Sequence, residues 1–263
     1  MQEMTLVEIQ KTCLGLLKEL GAFCNAHGLQ YFLIGGSALG AVRHGGFIPW
    51  DDDVDVGMPR EDYESFCQSY ADGDTFKLSL LGKTEGYFNP FAKLCDARTK
   101  YEEPTSKSIS QGVFIDVFPI DYVCESQAAI KRAMVRKRLY NYAFTTRLDA
   151  QKYRNEAIPK RILRRAMSKA YAMRDPVAAS EAVASSIASA EPTSRAMNIW
   201  GAWNEREVMD AEWFGEGATF RFEDMDCPIP SEWDRYLSRL YGDYMSPPKS
   251  PPHSHGLAFR IED

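Results

Sequence analysis

Three acidic residues in two short apolar segments have the spacing of a metal-binding active site. Asp53 and Asp55 lie two residues apart in a stretch that alternates acid with valine, so in a strand both carboxylates would project from one face. Carboxylates this close repel each other unless a cation lies between them, and oxygen ligands favour Mg²⁺ or Mn²⁺. Asp116, flanked by large apolar residues, supplies a third acid on another predicted strand. The pattern predicts three catalytic carboxylates that bind one or two metal ions. Such metal ions bridge phosphates and activate an attacking oxygen.

A glycine turn precedes these acids in the chain. Gly35-Gly36-Ser37 follows the apolar stretch 31–34 and leads into a short predicted helix, 38–43. Glycines let the backbone come close to a ligand, and the first turn of a helix offers free N–H groups to a phosphate. A strand, a Gly-Gly-Ser turn, a helix and then an Asp-x-Asp strand is the active-site pattern of the nucleotidyltransferase fold.

The acidic run has two other interpretations. As a calcium-binding EF-hand loop, Asp51, Asp53 and Asp55 would take positions 1, 3 and 5, but Gly57 then falls at position 7 instead of 6. The run could equally be an acidic loop that is simply solvated. The alternation with valine favours a strand over both.

Apolar spacing predicts the elements that would position these residues. Thr5 and Glu8 form a capping-box pattern at the start of a helix that ends before Gly28. The predicted fold class is α/β (α+β), with a nucleotidyltransferase-like mixed sheet, flanking helices and a helical extension. Other predicted elements are a helix at 60–70 and strands at 31–34, 53–56, 76–81, 88–94 and 113–118.

After Tyr122 the chain becomes rich in Ala, Arg and Lys and predicts helices, with Pro159 and Pro176 at helix starts. A hairpin around 220–227 and a helix capped by Ser231 follow. No clean linker separates these parts. The predicted organisation is a nucleotidyltransferase-like catalytic core at 1–122, a basic helical extension at 123–215, and a C-terminal hairpin, helix and tail at 216–263 packed on the core.

Composition excludes several classes of protein. The chain has 263 residues, of which 44% are hydrophobic, so most of it is not intrinsically disordered. No apolar run approaches the roughly 18 residues of a membrane-spanning helix, and the first residues lack the basic and apolar regions of a signal peptide. The six cysteines contain no CxxC pair, which argues against a zinc ribbon or a redox motif. We therefore expect a cytoplasmic protein with reduced thiols.

A strongly basic segment interrupts an acidic body. From Lys131 to Arg174 there are 14 Lys and Arg residues and two acids, whereas the rest of the chain carries 17 bases and 35 acids. This asymmetry suggests an anionic partner, either the inner face of an anionic membrane or a polyanionic acceptor. The alternative is a set of helices whose charges are solvated or pair with the acidic body. No reader motif accompanies the segment, so no nucleic acid is expected.

Several motifs together resemble the LicD family. Residues 32–60 read FLIGGSALGAVRHGGFIPWDDDVDVGMPR, and this long run resembles the signature of that family. Later segments agree with it, and the resemblance extends from about residue 1 to 250, weakest in the middle helical stretch. These segments are FAKLCDART at 91–99, GVFIDVFPID at 112–121 and LYGDYM at 240–245.

The resemblance implies a metal-dependent phosphotransferase. Bacterial members transfer phosphocholine from CDP-choline to sugars of teichoic acids, lipopolysaccharide or capsules, and fukutin and fukutin-related protein transfer ribitol phosphate. A sugar hydroxyl attacks the phosphate next to the alcohol, and CMP leaves. Carried over to this sequence, Asp53, Asp55 and Asp116 would bind Mg²⁺ or Mn²⁺, and Gly36 and Ser37 would face the phosphates of the donor.

Four further residues are candidates for substrate binding. Arg43 and Lys93 would neutralise the diphosphate, although each could instead be a surface charge or a salt bridge to the aspartates. Asp52 would bind the donor or support the other acids. His253 would close over the acceptor or act as a base, and the alternative for it is a loose tail.

The expected function is transfer of an alcohol phosphate, phosphocholine first, from a CDP-activated donor to a sugar hydroxyl of a cell-surface glycan precursor. A nucleotidyltransferase that releases pyrophosphate is the alternative enzyme, and a non-catalytic scaffold is a third hypothesis. Choline, glycerol and ribitol would present the same diphosphate to the same aspartates. A choline pocket would need aromatic faces, for which Tyr87, Phe88, Tyr101 and three tryptophans are available.

Overall fold

Helices surround the site-bearing strands on several sides. In the computed structural model, which describes residues 1–247 and 256–261, Thr5 and Glu8 form the predicted capping box and Gly28 ends the first helix in the left-handed conformation, φ +67°. The buried face of that helix packs on the central sheet. The helices are α1 (Leu6–His27), α2 (Gly35–His44), α3 (Arg60–Ser69), α4 (Gln127–Tyr140), α5 (Gln151–Arg154), α6 (Ile158–Tyr171), α7 (Pro176–Ala184) and α8 (Trp233–Tyr241).

The strands, in chain order, are β1 (Gln2–Glu3), β2 (Phe32–Leu33), β3 (Asp55–Pro59), β4 (Phe76–Ser79), β5 (Ala92–Asp96), β6 (Thr99–Glu102), β7 (Val113–Tyr122), β8 (Arg195–Met197), β9 (Met209–Asp210), β10 (Ala218–Phe222), β11 (Met225–Ile229) and β12 (Leu257–Arg260). The central sheet has the order β2-β3-β7-β5-β4. It mixes one parallel pair, β3 with β7, with antiparallel neighbours. This architecture confirms the predicted α+β class.

The register of the sheet places three charged residues in one row. Strand β3 sets Asp55 opposite Asp116 on β7, and β5 sets Lys93 opposite the same residue from the other side. Residues that pair directly project from the same face of a sheet. The two acids and the lysine therefore share one face on three neighbouring strands. Asp53 was predicted within a strand but lies just before β3, where the Asp116 N–H donates to Val54 O at 2.8 Å and continues the pairing.

The middle of the chain does more than form helices. Strand β8 pairs with the end of β7 and with β9, so the segment predicted as a helical extension adds two strands to the central sheet. Strand β12 pairs with β6 and β1, and β10 with β11 forms the predicted hairpin. Within the described ranges, no helix combines the length and the apolar character needed to cross a membrane.

Two helical glycines provide a matched test of how tightly α2 packs. A Cβ on Gly40 would lie 2.4 Å from Gly46 O, whereas a Cβ on Gly15 in α1 would meet no atom within 4 Å. Alanine favours a helix over glycine by about 1 kcal/mol. We expect Gly15→Ala to raise the free energy of unfolding by about 0.5–1 kcal/mol. We expect Gly40→Ala to lower it by about 1–3 kcal/mol, because the turn that contains Gly46 must shift to make room for the new methyl group. Urea denaturation measures both changes, and an equal gain from the two substitutions would contradict this packing.

Candidate active site

An acidic cleft of about 700 Å³ lies at the row of charged residues. The carboxylates of Asp51, Asp53, Asp55 and Asp116 line it together with Gly35 and Gly36. Segments from all three predicted regions of the chain contribute to its walls, including Trp200 to Trp203 and residues of α8. The structure thus brings the three predicted catalytic aspartates to a single cavity.

Lys93 lies beneath this cleft as a buried counter-charge. Its side chain is 5% exposed, and its Nζ lies 3.2 Å from Asp116 Oδ1 and 3.0 Å from Glu103 Oε1. It also lies 3.1 Å from the centre of the Phe114 ring. Burial acts to lower the pKa of Lys93, but Asp116 and Glu103 outweigh it and raise that pKa. Lys93 therefore stays charged and does not line the cleft. This position fits a salt bridge to the aspartates, which was the alternative to diphosphate binding.

Asp116 has the most perturbed carboxyl group of the predicted site residues whose shift is resolved. Burial raises its pKa to about 7, and Lys93 offsets part of the increase. Glu103 and Asp53 act in the same direction as burial because a like charge nearby disfavours ionisation. Asp116 can therefore exchange a proton near neutral pH.

The glycine turn holds Asp55 in place through backbone contacts. The Ser37 hydroxyl is buried and accepts the Asp55 N–H at 2.8 Å, and the Gly35 N–H donates to the Tyr236 hydroxyl at 2.9 Å. Gly35 has φ +53°, and a Cβ there would lie 3.0 Å from Asp55 Oδ2. A Cβ on Gly36 would lie 3.0 Å from Asp51 Oδ2. The turn therefore needs glycine so that two carboxylates can lie against it. Ser37, predicted to face the donor, instead contacts the strand behind the cleft.

The remaining predicted site residues divide between the cleft and its support. Arg43, in the last turn of α2, lines the cleft and donates through Nη1 to Tyr244 O at 2.8 Å. Asp52 is buried outside the cleft lining and accepts the Tyr101 hydroxyl at 2.8 Å, a position that suits the supporting alternative for this residue, and its role stays a prediction. His253 lies outside the described residues, and its role stays a prediction.

An aromatic wall lines the same cleft as the acids, and its position was not predicted from the sequence. Trp200, Trp203 and Tyr241 line the cleft, and the rings of Trp203 and Tyr241 meet edge to face at 5.0 Å between centroids. Glu207 also lines the cleft, and its Oε1 accepts the Trp203 N–H at 3.1 Å. Lys137, from α4, donates to Gly201 O in the same loop. The richness in tryptophan was visible in the sequence, but no local spacing connects residues 200–241 with Asp55.

Two buried ionisable side chains, Glu207 and Lys137, hold the backbone of the tryptophan loop. Burial raises the pKa of Glu207 to about 7, while the Trp203 N–H and Lys137 act to lower it. Burial also lowers the pKa of Lys137 to about 8, with Glu207 opposing that effect. Burial therefore disfavours the charged form of both groups, and each partially offsets this effect on the other.

The carboxylate oxygens that line the cleft are suitable ligands for a hard divalent cation. Carboxylate oxygens are the preferred ligands of Mg²⁺ and Mn²⁺. Asp116 Oδ1 is buried and accepts no hydrogen bond of good geometry, although Lys93 Nζ is 3.2 Å away. Within residues 1–247 and 256–261 no three acidic, His or Cys side chains converge as a preformed metal site, so the set of three ligands stays a prediction. One or two carboxylates suffice for Mg²⁺, which completes its shell with substrate phosphates and water.

The fold and the cleft together define a nucleotidyltransferase-like domain, with a glycine turn opening a helix and acids on two adjacent parallel strands. Residues 28–148 match the family described as "LicD/FKTN/FKRP, nucleotidyltransferase domain". This part of the chain matches the LicD family, which confirms the resemblance seen in the sequence. The matched range contains the glycine turn, the three predicted catalytic aspartates and Lys93.

Individual relatives agree with this assignment. The chain is 27% identical to the lipopolysaccharide cholinephosphotransferase LicD of Haemophilus influenzae over 263 residues, which cover 98% of each chain. It is 50% identical over 54 residues to the ribitol 5-phosphate transferase FKRP of Homo sapiens, a match that covers 19% of this chain and 11% of that protein. An uncharacterized protein of Rickettsia typhi is 42% identical over 53 residues, 20% of this chain and 17% of its own.

The buried lysine gives a prediction about stability and pH. Lys93→Met leaves Asp116 and Glu103 without their cation, so we expect the free energy of unfolding at neutral pH to fall by about 3 kcal/mol. In the folded protein the pKa of Asp116 is already above its usual value. The protonated carboxyl group therefore contributes to stability at acid pH, and this contribution is lost as the pH rises through about 7. Removing Lys93 raises that pKa further, and the deficit should therefore shrink as the pH falls.

Urea denaturation of the Lys93→Met protein across the acid-to-neutral range measures this deficit. Lys100→Met is the matched control, because Lys100 pairs with Glu102 where both side chains are about half exposed and such pairs contribute little. A Lys93→Met protein that is as stable as the control at neutral pH would refute the counter-charge role.

Proposed function

We propose that the chain transfers an alcohol phosphate, phosphocholine first, from a CDP-activated donor to a sugar hydroxyl of a cell-surface glycan precursor. The observation that carries the proposal is the single cleft that Asp55 and Asp116 share with an aromatic wall, with Lys93 buried against Asp116. The name of the Haemophilus influenzae relative, a lipopolysaccharide cholinephosphotransferase matched along nearly its full length, supports the same chemistry.

The residues of the cleft divide the proposed reaction between them. Arg43, on the wall of the cleft, offers a guanidinium to the diphosphate of the donor. Asp116 or Asp55, at the row of acids in the cleft, accepts the proton of the attacking sugar hydroxyl. The sugar oxygen bonds to the phosphorus next to the alcohol, the bond from that phosphorus to the bridging oxygen breaks, and CMP leaves with the bonding electrons.

Asp53, Asp55 and Asp116 would hold Mg²⁺ or Mn²⁺ in the proposed enzyme. The cation would supply positive charge to polarise the donor diphosphate and to stabilise the departing CMP. Ser37 and Tyr236 then have a positioning role, because their hydroxyls fix the backbone of Asp55 and Gly35.

The aromatic wall supports choline as the transferred alcohol. A quaternary ammonium binds aromatic faces through cation–π attraction, and Trp203 and Tyr241 line the cleft beside the carboxylates of Glu207 and Asp243. Glycerol and ribitol are uncharged and would gain no cation–π attraction from these rings. We place the reaction in the cytoplasm, because all six cysteines are unpaired and free thiols suit a reducing compartment.

An assay of donor turnover tests the function and the acids together. Purified protein is incubated with CDP-choline, Mg²⁺ and a glycan acceptor, and the products are separated. We expect CMP release, and we expect Asp55→Asn to lower kcat/KM by about 100- to 1,000-fold, the usual cost of losing one electrostatic contact to the transition state. Asp226→Asn, on the exposed hairpin, is the matched control. Pyrophosphate release would favour the nucleotidyltransferase alternative, and full turnover by a folded Asp55→Asn protein would overturn the site.

The identity of the alcohol is tested separately. Trp203→Ala removes one face of the aromatic wall, so we expect KM for CDP-choline to rise by about 5- to 30-fold, equivalent to the loss of one cation–π contact. KM for CDP-glycerol should change little, and Trp203→Phe should recover most of the affinity for CDP-choline. Equal losses for both donors would contradict the choline assignment and leave the transferase proposal standing.

A further inference from the structure

Helix α6 exposes its apolar side to solvent. Its sequence, IPKRILRRAMSKAY, forms an amphipathic helix, yet Ile158, Ile162 and Leu163 are 68%, 62% and 59% exposed. Met167 is exposed on the same side, and the small residues Pro159, Ala166 and Ala170 complete that face. At 100° per residue these positions cover about half of the helix surface. A helix that packs on a protein core normally shows the opposite orientation.

The polar side of α6 is what attaches it to the protein. Arg164 makes two hydrogen bonds to Glu156, at 2.8 and 3.0 Å, and its guanidinium lies 4.5 Å from the centre of the Tyr142 ring. The buried Ser168 hydroxyl donates to Tyr142 O at 2.7 Å. These contacts fix the rotation of the helix about its axis. The outward apolar face is therefore specified by directional contacts.

Basic side chains border the apolar face on both sides. Lys160 lies just beyond one edge and Arg165 just beyond the other, with Lys169 about 20° inside the edge next to Arg165, and all three are exposed. The helix belongs to the segment in which 14 bases stand against two acids, on a chain whose remainder is acidic. An apolar strip between two basic edges matches the interfacial region of an anionic bilayer, where acyl chains lie beneath negative headgroups.

We propose that α6 is a membrane-docking helix, which lies flat on an anionic lipid surface with Ile158, Ile162, Leu163 and Met167 in the headgroup–acyl boundary. Lys160, Arg165 and Lys169 then contact lipid phosphates. The proposal concerns a surface outside the cleft and does not depend on which donor or acceptor the enzyme uses.

Two other occupants of this face are disfavoured by its chemistry. A second copy of the chain docking through the same helix would bring two rows of Lys and Arg together, and like charges at close range oppose association. A soluble anionic polymer would bind through the basic edges alone. Its binding would not explain why Ile162 and Leu163 are exposed between those edges. A bilayer uses both features at once.

Vesicle sedimentation with the full chain tests the proposal. The probes are vesicles of phosphatidylcholine alone and of phosphatidylcholine mixed with phosphatidylglycerol, each at low and high salt. We expect binding to the mixed vesicles at low salt, weaker binding at high salt, and little binding to phosphatidylcholine. Ile162→Ser with Leu163→Ser should weaken binding by about tenfold or more with no change in charge. Arg165→Gln with Lys169→Gln should weaken it by about 30-fold, since each basic residue contributes about fivefold.

The controls separate insertion from charge and from self-association. Val7→Ser with Lys11→Gln on α1 alters exposed residues of the same types and should leave binding unchanged. Circular dichroism confirms that each variant folds. Binding that is unaffected by the Ile162 and Leu163 changes would overturn the docking face, as would no binding to anionic vesicles at low salt. A dimer in sedimentation velocity that these two changes abolish, without vesicle binding, would assign the face to a second copy and also overturn the proposal.

Discussion

Two carboxylates on neighbouring strands repel each other, and the surroundings of Asp116 are arranged around that repulsion. The parallel register of β3 and β7 makes Asp55 and Asp116 direct neighbours, a pairing that destabilises a sheet when both groups are charged. Lys93 on the third strand offsets part of this cost because its Nζ is buried against Asp116. One buried lysine between Asp116 and Glu103 leaves an excess of negative charge. The cleft therefore carries the negative charge that the proposed metal ion and the proposed substrate ammonium group would each require.

The same constraint explains why the surrounding contacts are directional. Two carboxylates that repel each other push their strands apart unless the backbone is held, and the Ser37 hydroxyl holds the backbone of Asp55. The Tyr236 hydroxyl fixes the Gly35 N–H from α8, about 200 residues away in the chain. The helix that opens at this turn is consequently anchored to both the acidic strand and the C-terminal segment. Such anchoring preorganises the site, which electrostatic catalysis requires.

Local patterns in the sequence predicted the elements best where one physical rule acts within a few residues. The capping box of Thr5 and Glu8 and the hairpin near residue 220 are of this kind. The alternation around Asp53 and Asp55 gave the shared face of the acids correctly, although the strand itself begins at Asp55. Period-two patterns report orientation reliably and strand ends poorly, because the ends depend on the partner strand.

The parts that the sequence could not give depend on long-range register. Nothing local shows that Lys93 pairs with Asp116, since β5 and β7 are connected through a separate strand. The position of Trp203 in the same cleft as Asp55 depends on how β8, β9 and α8 pack, and no spacing rule spans that distance. Ser37 looked like a phosphate contact because its turn resembles one, whereas its hydroxyl faces the strand. The resemblance of the motif identified the family and the region of the site, and packing decided which side chains face the cleft.

Helix α4 connects the two surfaces that function would use. It carries Lys137, which contacts the tryptophan loop, and it also packs against α6 through the segment that includes Tyr142. A helix that docks on a lipid surface loses rotational freedom, and a rigid neighbour transmits that orientation to the elements packed on it. If α6 lies on a membrane, α4 sets a defined angle between the bilayer and the aromatic wall. An acceptor held at the same surface would then meet the cleft in a restricted set of orientations, which lowers the entropic cost of bringing a sugar hydroxyl to the donor phosphate.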